Sequence, residues 1–252
     1  MNEQTERPRA THPHKEHQQE LAETKHLMDV LDYLFFSLAH EMGNPINSIK
    51  MTLEVLINNF DSYSQKTRLE YLGNLHSEFT RLEELLKAIR SFNIFEHLTI
   101  KATDMQPLLR NLLQMLQGEI GNKNITMTIS FPDRPVWAAS DPRALHQSLL
   151  NILSNAIDAV AGERAPVIAV TLEGDEAYCR IRIADNGCGI PAGKQEEIFM
   201  PFFSSKHQGI GLGLTMVKKL VTRMNGSVDV TGVEPRGTEV LITLPGAFHH
   251  GS

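Results

Sequence analysis

Two glycine-rich segments have residue types and a spacing that could do chemistry. Residues 184–190 read Ala-Asp-Asn-Gly-Cys-Gly-Ile after a predicted strand, and residues 209–214 read Gly-Ile-Gly-Leu-Gly-Leu at the start of a predicted helix. Glycines let backbone N–H groups approach phosphate oxygens, and a helix start adds the positive end of its dipole. The second segment has neither the Gly-x-Gly-x-x-Gly spacing nor a surrounding strand–helix–strand unit, so the pattern disfavours a dinucleotide-binding fold. Purely structural turns are the alternative interpretation.

Polar side chains on one face of a predicted helix could hold a cation. Asn151, Asn155 and Asp158 stand four and then three residues apart, and apolar residues fill the opposite face. Asparagine disfavours helices, so its repetition has a cost that a function would explain. Amide oxygens suit a hard cation such as Mg²⁺, which also binds substrate phosphates. A solvated surface is the alternative.

A histidine in the first third of the chain could act as a nucleophile. His40 lies two residues from both Leu38 and Met42, which places it away from the apolar stripe of its predicted helix. At pH 7 a histidine with the ordinary pKa of about 6.5 is mostly neutral, and one ring nitrogen can then attack. Glu41 could accept the proton of the other ring nitrogen and stabilise the imidazolium. A solvated surface histidine is the alternative.

Two long amphipathic helices must position His40. Apolar residues recur every three or four positions from Leu27 to Phe60 and from Leu69 to Phe92, and the polar segment 58–66 predicts a turn between them. We therefore expect an antiparallel helical hairpin over residues 21–97. A lone hairpin exposes its apolar stripes, so the pattern predicts a homodimer whose hairpins form a four-helix bundle. Packing against the rest of the same chain is the alternative.

The remainder of the chain predicts a compact layer of helices over a sheet, across residues 104–246. Helices are expected at 104–117, 142–161 and 212–224, the second of them capped by Asp141. Strands are expected at 99–102, 124–131, 167–172, 178–184, 227–231 and 238–244. The chain is thus predicted to be an α+β multidomain protein, with a linker at 98–103 and polar tails at 1–20 and 247–252.

Composition excludes several classes of protein. The 252 residues are 41% hydrophobic and carry a net charge of −6, which gives no basic excess for nucleic-acid binding. Two cysteines, Cys179 and Cys188, cannot form a disulfide framework. No apolar run reaches the length of about 18 residues that a membrane span needs. We expect a cytoplasmic chain without a membrane span.

Four motifs, in order along the chain, resemble the N, G1, F and G2 boxes of sensor histidine kinases of two-component systems. They read Asn151-x-x-x-Asn155-Ala, Asp185-x-Gly187-x-Gly189, Ile198-Phe199-x-Pro201-Phe202-Phe203 and Gly209-x-Gly211-x-Gly213. Gly237-Thr238 is similar to the final Gly-Thr element of the family, and residues 36–46 resemble its H box. The resemblance implies a dimerisation and histidine-phosphotransfer hairpin, followed by a Bergerat-type (GHKL) α/β sandwich that binds ATP.

The resemblance also implies a role for each matching residue. Asp185 would accept a hydrogen bond from the adenine amino group, Asn155 would bind Mg²⁺, and Asn151 would lie beside the triphosphate. The further ATP-binding residues by this resemblance are Asp158, Gly187, Gly189, Phe199, Lys206, Gly209, Gly211, Leu212, Gly213 and Thr238.

By the same resemblance, His40 would take the γ-phosphoryl group and pass it to an aspartate of a separate response regulator. Asn44 would help to orient the water that dephosphorylates that regulator, although Gly43 replaces the basic residue common in the family. The rival functions are an ATP-driven clamp, a Ser/Thr kinase on the same fold, and an idle scaffold that only binds a regulator. We expect no sensor domain in the short segment 1–20 and no receiver after residue 245.

Overall fold

The structure is a computed structural model that describes residue 36 and residues 38–95, 97–190, 193–195, 197–204, 211–233 and 236–247. The predicted tail 1–20 and the start of the first predicted helix lie outside the described residues, as do Lys206 and Gly209. Among the residues described, none of the helices combines the length and the apolarity needed to cross a membrane.

The first domain is the predicted helical hairpin. Helix α1 covers residues 38–58 as described, and α2 covers Gln65–Ile94. The turn forms because Ser64 caps α2, where its hydroxyl oxygen accepts the backbone N–H of Thr67 at 3.1 Å. Side chains join the two helices at Ser48–Glu78 and at Glu41–Arg81. Because the residue number falls on one helix as it rises on the other, the pairing is antiparallel.

The hairpin buries a narrow strip of its apolar surface. Leu56, Leu75 and Leu85 are buried, whereas two series at heptad spacing are exposed. We call these series the hairpin seam; it consists of Ile46 and Leu53 on α1, Phe60 in the turn that follows α1, and Leu72, Phe79 and Leu86 on α2.

The second domain contains a five-stranded mixed sheet. In chain order, its strands are β2 (Thr126–Ser130), β4 (Val167–Gly174), β5 (Tyr178–Asp185), β6 (Ser227–Gly232) and β7 (Thr238–Pro245). Across the sheet they lie in the order β2-β4-β5-β7-β6, with β2 parallel to β4 and the other pairs antiparallel. Alternate residues of β4, β5 and β7 are buried, so one face of the sheet carries the core.

Three helices cover that face: α3 (Met105–Asn122), α4 (Pro142–Ala159) and α5 (Gly213–Arg223). Asp104 and Asp141 cap α3 and α4, because each carboxylate accepts backbone N–H groups of the first turn. Helix α3 runs five residues past its predicted end at residue 117. The predicted order of a helical hairpin and then an α/β sandwich is confirmed.

A small second sheet joins the two domains. Its strands β1 (Lys101–Asp104) and β3 (Trp137–Ser140) are antiparallel, and β3 also bridges to Gly246 after β7. Strand β1 therefore occupies part of the predicted linker. Strand β3 was not predicted, because its sequence Trp-Ala-Ala-Ser shows no alternation of apolar and polar residues.

The end of α2 is tied to this second domain. Phe95 is buried in its core, and Arg223 at the end of α5 donates to the carbonyl of Phe95. The backbone N–H of Thr99 donates to the buried carboxylate of Asp141 at 2.8 Å.

Candidate functional site

The polar face of α4 lies against the start of α5. Asn151 accepts a hydrogen bond from Gln147 at 3.1 Å and donates its own amide N–H to the carbonyl of Gly213 at 3.3 Å. A Cβ added to Gly213 would lie 3.8 Å from the amide nitrogen of Asn155. Both asparagines are partly buried. The structure thus brings the N and G2 motifs together.

Asp158 faces another neighbour. Its side chain is exposed, and its carboxylate pairs with Lys123 at the end of α3 over 3.5 Å. The three polar residues of α4 share a helical face, but Asp158 contacts α3 whereas Asn151 contacts α5.

The start of α5 has the features of an anion site. Leu212 occupies the N-cap position and is buried, and its side chain makes no capping hydrogen bond to the N–H groups of the first turn. Such N–H groups, together with the helix dipole, attract phosphate. The glycine pattern predicted a phosphate site here. In the structure, the N-cap residue Leu212 provides no side-chain acceptor for the N–H groups at the start of α5.

The residues of the F motif pack on the same terminus. Gly211 has φ +70°, and a Cβ there would lie 2.5 Å from the carbonyl carbon of Phe202. The hydroxyl of Thr215 donates to the carbonyl of Phe199 at 3.0 Å, and the ammonium of Lys218 lies 5.0 Å from the centre of the Phe199 ring. Phe199 is therefore held on α5.

The G1 loop closes the other end of α4. Asp185 ends β5 and lies opposite Thr238 of β7 in the sheet register, and its carboxylate accepts the N–H of Gly187 at 2.9 Å. A Cβ on Gly187 would lie 2.3 Å from the carbonyl oxygen of Ala159, the last residue of α4. Gly189, with φ +74°, packs less closely on the Gly-Thr element, where a Cβ would lie 3.2 Å from the carbonyl oxygen of Gly237. Helix α4 therefore contacts the G1 motif beside its last residue and the start of α5, at the end of the G2 motif, through Asn151.

The arrangement suits a nucleotide and a divalent cation. A carboxylate beside the last residue of α4 can read a donor edge of a base, and the start of α5, which lies beside Asn151 in the middle of α4, can receive phosphates. Asn151 and Asn155 lie beside that start with their amide nitrogens towards Gly213, and each side chain also carries a neutral amide oxygen. These amide groups fit a Mg²⁺ ion whose other ligands are phosphate oxygens and water.

The predicted nucleophile is exposed on α1. Nδ1 of His40 lies 3.4 Å from the side-chain nitrogen of Asn44, one turn later. The carboxylate of Glu41 accepts a hydrogen bond from the guanidinium of Arg81 on α2 at 3.0 Å, and both side chains are partly buried.

Sequence reasoning did not identify Arg81. The signal was available, because an antiparallel hairpin that turns near residue 61 places residues 41 and 81 side by side with opposite charges. Gln147 and Thr215 were also missed, since each acts through a neighbour that the motifs do name.

Two family matches cover both domains. Residues 31–97 match the His Kinase A (phospho-acceptor) domain, and residues 140–247 match the histidine kinase-, DNA gyrase B- and HSP90-like ATPase family.

Several curated relatives match across both domains of this chain. The chain is 30% identical to the sensor histidine kinase ZraS of Escherichia coli, across 88% of this chain and 47% of that protein. It is 27% identical to the signal transduction histidine-protein kinase AtoS of the same species, across 92% of this chain and 37% of that protein. The chain therefore spans about half the length, or less, of the curated relatives it matches.

Solved structures resemble this chain both over the second domain alone and over nearly its whole length. The catalytic domain of histidine kinase ThkA is 26% identical and superposes with a TM-score of 0.54 over 59% of this chain and 96% of that one. ThkA in complex with the response regulator protein TrrA is 22% identical and covers 95% of this chain and 68% of that one, with a TM-score of 0.74. With a phospho-acceptor domain followed by an ATPase domain, and with relatives that are themselves sensor histidine kinases, the chain belongs to the sensor histidine kinase family.

Proposed function

We propose that the chain is an ATP-dependent protein-histidine kinase that phosphorylates its own His40. The observation that carries the proposal is the meeting of Asn151, Gly213 and the uncapped start of α5, in a chain that also exposes His40 on a separate helix. A nucleotide site and a nucleophile on different domains fit a reaction that moves a group from one to the other.

ATP would lie along α4. The Asp185 carboxylate would accept a hydrogen bond from the adenine amino group, and Thr238 would contact the adenine from the neighbouring strand. Gly187 and Gly189 would shape the adenine side, while Gly211 and Gly213 would let the backbone approach the phosphates. Lys206 and Gly209, outside the described residues, would complete the lid and the phosphate loop by their motif positions.

Asn155 would be the protein ligand of Mg²⁺, with Asn151 beside the triphosphate. When bound, the cation would neutralise charge on the phosphate oxygens.

The transfer itself needs positioning more than acid–base chemistry. One ring nitrogen of His40 would form a bond to the γ-phosphorus as the bond to the bridging oxygen breaks, and ADP would leave with that electron pair. Glu41 would accept the proton from the other ring nitrogen, so that the product is a neutral phosphoimidazole.

The hairpin seam supports a homodimer. Its six apolar side chains are 44% to 55% exposed and recur every seven residues in each half of the hairpin. Heptad spacing of exposed apolar residues is the signature of helices that pair with another helix. A second hairpin would cover this seam and complete a four-helix bundle.

A separate response regulator would receive the phosphoryl group on an aspartate. The structural neighbour ThkA is itself recorded in complex with a response regulator protein. The regulator would dock on the exposed side of α1 around His40, and Asn44 would orient the water that hydrolyses the phosphoaspartate of the regulator and releases inorganic phosphate. In this proposal residues 21–97 are the phosphotransfer domain and residues 104–246 the ATP-binding domain.

The test is the chemical stability of the label after incubation with γ-labelled ATP and Mg²⁺. A phosphoramidate is labile in acid and stable in base, so we expect acid to remove the label. His40→Gln should abolish labelling while ATP binding persists, and His76→Gln, which changes an exposed histidine of α2, should label normally. A label that survives acid would favour the Ser/Thr kinase, and the absence of any label would favour the scaffold.

A further inference from the structure

The carboxylate next to the acceptor histidine is engaged by the opposite helix. Oε2 of Glu41 lies 3.0 Å from Nη2 of Arg81, and these side chains are 26% and 34% exposed. Successive residues of a helix point about 100° apart, so Glu41 does not face His40 simply by being its neighbour. Within the part of the chain that the structure describes, the side-chain contact shown for His40 is with Asn44.

This arrangement separates a base from the group that must lose a proton. We propose that Arg81 is a positioning residue, which holds the Glu41 carboxylate across the hairpin and releases it to the imidazole for phosphoryl transfer. The inference rests on the proposed function, because it assumes that His40 is the acceptor. Arg81 acts through Glu41 and does not touch the reacting atoms.

The chemistry of the step explains why such a restraint changes the rate. As one ring nitrogen of His40 bonds to phosphorus and ADP leaves, the other ring nitrogen carries a proton and the ring becomes cationic. The Glu41 carboxylate takes that proton, and to do so it must give up its hydrogen bond from Arg81 and form one with the imidazole of His40. The transition state is therefore reached from a ground state in which an ion pair must first open.

The size of the effect follows from the exposure of the pair. Partly exposed ion pairs favour the closed state by a factor of about two to five. Arg81→Ala should therefore raise kcat for autophosphorylation about two- to fivefold. The KM for ATP should not change, because the contact that the described residues show for Arg81 is with Glu41 on the hairpin.

Three controls separate this role from a structural one. Arg81→Lys keeps the charge and should stay near the wild-type rate. Arg68→Ala removes another arginine of α2, whose contacts are the Tyr63 carbonyl and the Phe60 ring in the turn, and should leave kcat unchanged. Glu41→Gln should be slow, and Arg81→Ala added to it should give no acceleration.

The closing experiment measures initial rates of acid-labile labelling at saturating ATP for these variants, in about 0.05 and 0.5 M KCl. Salt screens the pair, so the ratio of Arg81→Ala to wild type should fall towards one in high salt. Arg81→Gln replaces Arg81→Ala if the latter melts early by circular dichroism. A rate at or below wild type, or acceleration that persists with Glu41→Gln, would overturn the inference. No acid-labile label on the wild type would instead overturn the proposed function.

Discussion

The two domains of this chain bury their apolar residues in opposite ways. In the ATP-binding domain, α3, α4 and α5 close over one face of the sheet, and the core is continuous from Phe95 to Leu244. In the hairpin, Leu56, Leu75 and Leu85 are buried while the seam is exposed. The ATP-binding domain therefore buries its apolar core within one chain. The hairpin instead leaves an exposed, heptad-spaced apolar seam, which the proposed second hairpin would cover.

Their glycines differ in the same sense. A Cβ on Gly43 or Gly73 of the hairpin would meet no atom within 4 Å. A Cβ on Gly187 or Gly211 of the ATP-binding domain would lie within 2.5 Å of backbone atoms of another segment. The ATP site is built from close backbone approaches, whereas the hairpin relies on side chains along two simple helices. Substitutions should separate these two designs.

The largest expected effect is on the hairpin seam. Phe79→Asp places a charge where a second hairpin should pack, and a buried unpaired charge is strongly unfavourable. We expect the variant to be a monomer under conditions where the wild type is a dimer, as measured by size-exclusion chromatography with light scattering. Met115→Asp is the matched control, since Met115 is an apolar side chain of α3 that is 68% exposed. A dimer that survives Phe79→Asp, or is lost equally with Met115→Asp, would contradict the assignment of the seam.

The next effect is on the close approach at Gly187. An alanine methyl would overlap the carbonyl of Ala159, and no flexible side chain can move aside because the contact is with backbone. Gly187→Ala should lower the free energy of unfolding of the ATP-binding domain by about 3 kcal/mol and abolish ATP binding. Chemical denaturation and nucleotide titration measure the two effects. Gly118→Ala, in open space on α3, should not destabilise the domain; equal losses in both variants would refute the argument.

A third effect concerns Asp141, whose carboxylate caps α4 and accepts the backbone N–H of Thr99. Burial raises the pKa of this carboxyl, but the hydrogen bonds from Arg143, Thr99 and Ala144 outweigh burial and lower the pKa from 3.8 to about 2. A carboxyl whose pKa is lower in the folded state stabilises the fold above its unfolded pKa and loses that contribution as the pH falls towards the folded value.

Asp141→Ala should therefore cost about 2 kcal/mol at neutral pH, and the difference from wild type should close between the pH values of 3.8 and about 2. Urea unfolding across this pH range checks the result. Asp133→Ala, which changes an exposed loop carboxylate, should alter stability by less than about 0.5 kcal/mol. A difference for Asp141→Ala that stays constant down to the lowest pH would show that the charge of Asp141 is not the cause.

Sequence patterns predicted the elements well where a period was long enough to read. The turn at 58–66, the cap at Asp141 and the β4–β5 pair were all predicted and are present. Strand β3 and the last five residues of α3 were not, because short strands and helix ends depend on tertiary contacts. The motifs named Asn151 and Gly213 separately, but their direct hydrogen bond required the fold. Arg81 was missed because it belongs to no motif, although the predicted antiparallel hairpin would have placed its charge beside that of Glu41.

The smallest effect tests the hairpin from the opposite side. Gly73 lies in the interior of α2, exposed and with open space around it, so an alanine there removes backbone entropy from the unfolded chain without a clash. Gly73→Ala should raise the stability of the hairpin by about 0.5 to 1 kcal/mol. Thermal unfolding, followed by the helical circular dichroism signal, measures this gain in stability. Gly187→Ala, which should lower stability, is the comparison. If Gly73→Ala destabilised the protein, position 73 would have to be covered by a neighbour, and the second hairpin would pack further round α2 than the seam allows.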